Sequence, residues 1–470
     1  MKKIVFVLIV FIASCKVPAL VQVENKNNLP ANYIQEIDSN NMSNLKWKDF
    51  FADKFLIELI DTAIKNNYEV LSTIQNIEIA KKYIRIKHAD LLPRGNAVIG
   101  LGLEKTGRYT AQGAGNASTE ILPGKEVPEP IADIFVGLRT SWEADIWGKL
   151  HNAKKIAVVK YLQSIEGKNF IFTNLVAEVA NSYYELIALD NQLEIIKKAI
   201  ELQKNQLEIL RVQKLSARAN ELAVKQFEAQ VYNSQSQEFE ILQNITLAEN
   251  KINYLLGRYP QKIERDSKFF DKELSQKIQI GIPAQLLQNR PDIRSAELEL
   301  QAANFDVQIA RAEFYPSVGI NGVLGFQGFK PKYILPTLEN LAFSFVGDLT
   351  APIINRNAIQ AEFKNAKANQ LNSIYDYQKT ILNGYIEVYN EMSNIRNIQK
   401  FYDLKYKQAE TLNKSIDIAK DLFISDRANY LEVLTVQRDA LETQLDLIET
   451  KKNQFISMTN IYKALGGGWK

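Results

Sequence analysis

The chain has 470 residues, 46% hydrophobic and 24% charged, with a formal net charge of +3 and its charges interspersed. That is enough for a large core or several domains, and it leaves no polybasic footprint for nucleic acid. The single cysteine excludes a disulfide framework and a cysteine metal site, and two histidines, His88 and His151, are too few for most zinc sites or a histidine relay. No metal site, cofactor or enzymatic activity is expected.

Lys2 and Lys3 precede an apolar run, 4–12, that is too short to span a bilayer as a helix. Ile12-Ala13-Ser14-Cys15 follows. Small residues before a cysteine at that place resemble a bacterial lipobox, after which the cysteine becomes the acylated N-terminus. Residues 1–14 are therefore read as a lipoprotein signal peptide and Cys15 as the lipidation site, against an ordinary signal peptide with an incidental cysteine. Several acyl chains give stable anchoring. Lys16 stands where an aspartate would signal inner-membrane retention, which favours the outer membrane.

Beyond Pro93 the hydrophobic period becomes two. Ala97, Ile99, Leu101 and Leu103 alternate with Val98, Gly100, Gly102 and Glu104, which predicts a strand over about 95–106. Residues 107–130 are rich in Gly, Pro, Ala, Ser and Thr and read as a mobile loop. Ala132, Ile134, Val136, Leu138, Thr140 and Trp142 predict a second strand over about 131–143. From there to 259 no proline occurs, and Gly167 is the only glycine within 149–256, so very long helices are free to form. Leu175, Val179, Ser182, Leu186, Leu189, Leu193, Ile196, Ile200, Gln203, Leu207 and Leu210 repeat every 3.5 residues, the coiled-coil period. A second seam runs from Val224 through Phe227, Val231, Ser234 and Glu238 to Leu255, so 148–256 reads as an antiparallel hairpin. At about 1.5 Å per residue, 150–215 would span roughly 100 Å.

The pattern then recurs. Val318, Ile320, Gly322, Leu324 and Phe326 predict a strand over about 317–328, and Leu341, Phe343, Phe345 and Leu349 another over about 341–351. After Pro352 there is no proline, and Gly384 is the only glycine within 357–465. A seam from Val388 and Glu391 to Ala419 leads out, and Leu431, Leu434, Arg438, Leu441, Leu445 and Ile448 lead back, a hairpin over about 355–465. The duplication shows in the residues themselves. Ala89-Asp90-Leu91-Leu92-Pro93 returns as Ala312-Glu313-Phe314-Tyr315-Pro316, an offset of 223 (316 − 93). Arg218-Ala219-Asn220-Glu221-Leu222 returns as Arg427-Ala428-Asn429-Tyr430-Leu431, and Leu256-Gly257 as Leu465-Gly466, both at 209 (429 − 220). The domains expected are the signal peptide (1–14), a lipid-anchored segment with a first helix (15–66), repeat one (67–261), a linker (262–288), repeat two (289–466) and a tail (467–470).

Alternating segments of about ten residues fit transmembrane β-strands, here bracketed by Trp142, Trp147, Phe314 and Tyr315. A soluble half-buried sheet is the competing reading. Four strands cannot close a barrel, and an open edge is not tolerated in lipid, so membrane strands require oligomerisation. Two chains would supply eight strands, an interior largely filled by side chains; a passage needs more.

Several separated motifs carry a family resemblance. Trp47-Lys48-Asp49-Phe50-Phe51-Ala52-Asp53 with Leu56, Leu59-Ile60, Ala63 and Asn66-Asn67 is one. Ile282-Pro283-Ala284-Gln285-Leu286-Leu287-Gln288-Asn289-Arg290-Pro291-Asp292-Ile293 with Ala296-Glu297 is the most specific. Asp145-Ile146-Trp147-Gly148-Lys149 and Pro352-Ile353-Ile354-Asn355-Arg356 look like two strand-to-helix junctions. Together these resemble the TolC-like outer-membrane efflux channels, in the NodT-type lipoprotein branch associated with resistance-nodulation-division (RND) pumps, over nearly the whole mature chain. The resemblance implies an α+β membrane protein: a homotrimer with a 12-stranded β-barrel, four strands per chain, continuous with a periplasmic helical coiled-coil barrel. It implies a Gram-negative outer-membrane location and a passive conduit for drugs or other small molecules. The implied partners are an inner-membrane pump and a periplasmic adaptor gripping the hairpin tips.

In relatives the hairpin tips constrict the tunnel. By position Asp426, Arg427 and Glu432, with Arg218 and Glu221 in the first copy, are the gate candidates. Three-fold symmetry would set inward carboxylates in a ring, where like charges raise one another's pKa and attract cations. Thr435 stands where some relatives carry an aspartate, which shifts such a ring to Glu432 or weakens it. A solvated charged face is the competing reading of these residues. Two other functions compete. A lipid-tethered coiled-coil scaffold would explain the rods and anchor, but not the strands. The other is an exit duct serving a type I secretion system or a metal exporter, and four methionines, two histidines and one cysteine argue against a dedicated soft-metal site.

Overall fold

The computed structural model describes residues 18, 29–33, 41–216, 218–271, 279–334, 337–352, 355–425 and 427–470. The signal peptide, Cys15, Asp426, and Ile353 with Ile354 of the second junction motif lie outside the described residues. Helices α1 (Trp47–Phe50), α2 (Lys54–Asn66) and α3 (Tyr68–Ala89) lead to strand β1 (Arg94–Glu104). Helix α4 (Ala111–Ser118) and strands β2 (Glu120–Leu122) and β3 (Lys125–Glu126) precede β4 (Ile131–Ala144), α5 (Lys149–Leu215) and α6 (Glu221–Leu255). The second half runs α7 (Leu286–Asn289), α8 (Pro291–Ala312), β5 (Ser317–Gly328), β6 (Leu341–Thr350), α9 (Arg356–Ile424) and α10 (Tyr430–Ala464). Two compact units emerge, and each draws on both halves of the sequence. One contains Glu78–Leu162 and Leu298–Tyr375, the other Lys26–Ile77, Gln163–Glu297 and Asp376–Lys470.

The first unit is built on an antiparallel sheet of order β1-β4-β5-β6. Its register aligns residues of like kind. Ala97, Leu138, Leu324 and Phe343 form one row across the four strands, and Ile99, Val136, Phe326 and Leu341 another, all on one face because side chains alternate with period two. Behind the sheet's end Val307, Ala310, Phe314 and Phe363 form a small core, with Phe314 edge-on to Phe363 at 5.8 Å. Between β1 and β4 the expected irregular loop is instead partly regular. Thr110 caps α4 by accepting from Gly113 N at 3.1 Å, and the Pro123-Gly124 turn, with Gly124 at φ +76°, closes the β2–β3 hairpin. Small residues let this turn of helix form where composition alone suggested none: a Cβ on Gly113 would collide with the Gly107 backbone.

The second unit is a helical core. The first seam is buried as its spacing requires: Leu175, Val179, Ser182, Leu186, Ile196, Ile200, Gln203, Leu207 and Leu210 are all nearly solvent-free. The returning seam of α10 is buried at Leu441 and packs on core clusters at Leu434 and Leu445, but Leu431 and Arg438 are exposed, while Val433 and Ala440 beside the seam are buried. Near the tip Leu434 and Tyr430 pack on Leu207, Leu210, Val224, Phe227 and Val231 of the other hairpin.

Two closures tie this unit together. Gly257 (φ +65°) and Gly466 (φ +88°) end α6 and α10 in the left-handed region, and each lies so close to a backbone carbonyl, Asn66 O and Asn289 O, that an added Cβ would sit 2.5 Å from it. Asn67 Nδ2 donates to Leu255 O at 2.9 Å, while Arg290 Nη1 donates to Ala464 O at 2.9 Å. Arg290 also forms a two-point pair with Asp292 (3.0 and 2.7 Å) and reaches Glu387 at 2.6 Å. Its guanidinium passes over Gly384 of α9, where a Cβ would come within 3.2 Å of Nε. Glycine in a helix interior costs about 1 kcal/mol against alanine, so its place in a 69-residue helix has this close approach as its physical reason.

Candidate functional site

Two surfaces, one in each unit, carry the features that matter for function: the faces of the sheet and the tips of the hairpins. On one face of the sheet every mid-strand position is apolar or small, and the large side chains stand in solvent: Ile99, Leu101, Phe343 and Phe345 are between 76% and 79% exposed. The opposite face is glycine-rich and holds the sheet's charged and amide side chains, with Val98, Phe135, Val323 and Val346 among them. It carries Asn96, Gly100, Gly102, Asp133, Gly137, Arg139, Gly325, Gln327, Ser344 and Asp348. Gln327 Nε2 donates to Asp133 at 2.7 Å and Asn321 Nδ2 to Asp348 at 3.2 Å. A sheet that exposes greasy side chains on one face and polar groups on the other is arranged for two solvents, lipid and water. Among the described residues strands β1 and β6 each pair on one side only, which leaves two open edges. Among the described residues no helix is long and apolar enough to cross a membrane.

At the end of the sheet, a cleft of about 760 Å³ is lined by Glu143, Asp145, Trp147, Lys149, Glu313 and Tyr315 among others. Trp147 stacks on Tyr315 at 4.4 Å and donates its indole N–H to Pro316 O at 2.7 Å, while Trp142 donates to Leu91 O at 3.0 Å. Amphipathic rings anchored this way suit a membrane–water boundary. The Asp145-to-Lys149 motif is a helix start. Gly148 takes φ +73°, and the Asp145 carboxylate accepts from Leu150 N at 3.0 Å, His151 N at 2.8 Å and the His151 ring at 2.6 Å. Burial alone would raise that carboxyl, but these donors hold it below the usual carboxylate range. Glu313 shifts the other way, pushed up by burial and by the facing carboxyl of Glu362.

The gate candidates fall at the tips. In the first hairpin Arg218 and Glu221 are exposed; the Arg218 backbone N–H bonds Gln213 O at 2.9 Å, and Glu221 pairs with Lys214. Asn220 caps α6 by accepting from Ala223 N at 2.8 Å. In the second, Arg427 is exposed with its backbone N–H on Leu422 O at 2.9 Å. Glu432 completes a capping box: Asn429 accepts from Glu432 N at 3.1 Å, and the Glu432 carboxylate accepts from Asn429 N at 3.3 Å. The two tips share one apolar cluster, in which Phe423 and Tyr430 pack on residues of α5 and α6. Asp426 is outside the described residues. Lys214, the partner of Glu221, was absent from the sequence candidates, and so was the capping role of Glu432. The Asn429-x-x-Glu432 spacing signals the second directly; nothing in the sequence signals the first. Among the described residues no cluster of three or more His, Cys, Asp or Glu side chains is placed to hold a metal ion.

The chain matches the family described as outer membrane efflux protein over residues 59–258 and again over 282–467. It is 25% identical over 432 residues to the cation efflux system protein CusC of Escherichia coli O6:H1, covering 92% of this chain and 90% of the relative. It is 27% identical over 429 residues to the solvent efflux pump outer membrane protein SrpC of Pseudomonas putida, covering 90% and 87%. The open-state crystal structure of the MtrE outer membrane channel of Neisseria gonorrhoeae superposes with a TM-score of 0.82 at 22% identity, covering 97% of this chain and 99% of that one.

Proposed function

The chain belongs to the outer membrane efflux protein family, and we propose that three copies of it build the wall of one duct. It is the outer-membrane exit component of a tripartite efflux system, a conduit rather than a catalyst. In the proposed trimer twelve strands close a barrel, continuous with a periplasmic barrel of helical hairpins. The observation that carries this reading is the four-stranded sheet with an apolar face, a polar glycine-rich face and two unpaired edges. Lipid does not tolerate those edges, and pairing β1 of one copy with β6 of the next removes them. Twelve strands leave a passage where eight would not. A lipid-tethered scaffold has no use for such a sheet.

The internal duplication is part of the same reading. The family match falls twice on the chain, and the closures described above recur at the repeat offsets. Asn66 and Asn67 stand to Gly257 and Leu255 as Asn289 and Arg290 stand to Gly466 and Ala464. The partners proposed are a periplasmic adaptor at the hairpin tips and an RND-type inner-membrane pump. Relatives named for cation efflux and for solvent efflux match this chain almost equally, which fits a duct whose cargo is chosen by its pump. Anchoring is assigned to lipid on Cys15; palmitate labelling that persists in Cys15→Ser would refute it.

The gate is assigned to Asp426, Arg427 and Glu432 with Arg218 and Glu221. Glu432 caps α10 and Glu221 holds Lys214, so each carboxylate stabilises the turn of its own hairpin. The purified protein should run as a heat-modifiable trimer and conduct in planar bilayers; a monomer without conductance would refute the duct. Arg427→Ala with Glu432→Ala is expected to raise conductance and to sensitise cells to large antibiotics. Unchanged conductance in that variant, with the wild type conducting, would remove the gate assignment alone.

A further inference from the structure

We propose that Arg139, held in place by the ring of Phe135, forms a cationic ring in the duct that raises its permeability to anions. The inference rests on the sheet being a barrel wall and adds what that wall selects. The polar face of β4 reads Asp133, Phe135, Gly137, Arg139, Ser141, Glu143. Phe135 is the anomaly, a large apolar side chain on the water-facing side, yet only 7% exposed. The tip of its ring reaches bare backbone. Gly137 and Gly325 face each other across β4 and β5, and a Cβ on either would meet the tip of the ring at 2.8 or 2.7 Å. The two glycines are thus a floor that lets an aromatic ring lie along the wall instead of standing into the bore.

Arg139, two residues on, covers that ring, its guanidinium carbon 5.6 Å from the ring centre. A planar, weakly hydrated guanidinium is suited to this stack, and its N–H donors remain free to face water. Its surroundings leave it without a carboxylate. The row across the sheet at Arg139 is Asn96, Val323 and Ser344. Asp133 is engaged by Gln327, Asp348 by Asn321, and Glu143 by Lys149 at 2.8 Å. Arg94, the other cation on this face, is paired with Asp90 at 2.5 Å. Among the described residues no ion pair involves Arg139. The carboxylates of this face lie toward its two ends, Glu104 and Asp133 at one and Glu143 and Asp348 at the other. Three copies would place three guanidiniums at one height between two acidic belts, a cationic zone that lowers the barrier to anions there.

The test is the reversal potential of the full-length protein in planar bilayers under a potassium chloride gradient. Arg139→Gln is expected to raise the cation-to-anion permeability ratio at least about twofold. Phe135→Leu, which keeps an apolar group but removes the ring face, should move the ratio the same way by less, and Arg139→Lys should fall between wild type and Arg139→Gln. A ratio unchanged in Arg139→Gln overturns the proposal, and Arg139→Lys decides it by the same measure if the glutamine variant does not assemble. A shift in Arg139→Gln with none in Phe135→Leu removes the ring from it. A wild type that assembles no conducting oligomer is a different result, because it refutes the barrel itself.

Discussion

Phe343→Lys is expected to prevent assembly in the outer membrane, whereas Ser344→Lys, one residue away, is expected to assemble and conduct. The two positions differ only in the face of β6 on which they stand. Phe343 is 77% exposed in a row with Ala97, Leu138 and Leu324, and that row is apolar across four strands. A lysine near the bilayer midplane of a barrel costs about 2–4 kcal/mol, and the proposed trimer would incur it three times, about 6–12 kcal/mol in all. Ser344 shares its row with Asn96 and Arg139, so a lysine there meets water. The measurement is the heat-modifiable trimer in outer-membrane fractions. Equal assembly of both variants would mean that the apolar face does not meet lipid, and would favour a soluble sheet.

The second large effect is expected at Arg290, in the helical unit. Arg290→Met should lower the thermal midpoint of the purified protein by several degrees and reduce its abundance in the membrane. The arginine side chain is 7% exposed and satisfies Asp292, Glu387 and the carbonyl that ends α10. Glu387 is 55% exposed, so that pair is screened by solvent and contributes little. The Asp292 pair and the Ala464 carbonyl are better sheltered, and removing their shared donor costs about 3 kcal/mol, the low end for a buried ion pair. Arg290→Lys should recover part of the loss, because it keeps the charge but not the two-point geometry. Gly384→Val should mimic Arg290→Met by crowding the guanidinium from below. Full stability in both Arg290→Met and Gly384→Val would show that the closure at α10 does not depend on this contact. Asn67, the counterpart of Arg290 in the first repeat, makes the same carbonyl contact without a charge, so Asn67→Ala should cost less, about 1 kcal/mol.

Much of the architecture could be read before any coordinates. Alternation through Ala132, Val136 and Trp142 placed β4, and the 3.5-residue rhythm from Leu175 to Leu210 placed a buried seam on α5. Such patterns are local, set by side-chain period and by the absence of helix breakers, so a sequence carries them openly. Two features were read less well for opposite reasons. Residues 111–118 form a helix because Thr110 supplies a cap and Gly113 lets backbone approach, contacts that composition does not encode. Leu431 and Arg438 keep the heptad rhythm yet are exposed, while Leu434 and Leu441 of the same seam pack inward and Val433 and Ala440 widen the buried stripe.

The sequence by itself determined the inventory: four two-sided strands and two pairs of uninterrupted helices. Each follows from periodicity or from residues near one another in the chain. Only the tertiary structure decided who meets whom: Phe135 on Gly325, Arg290 over Gly384, Glu221 with Lys214, Tyr430 against the other hairpin's core. The physical reason is that such contacts depend on register and crossing geometry between distant segments. Side-chain period sets the face on which a residue stands, and the packed fold sets what faces it.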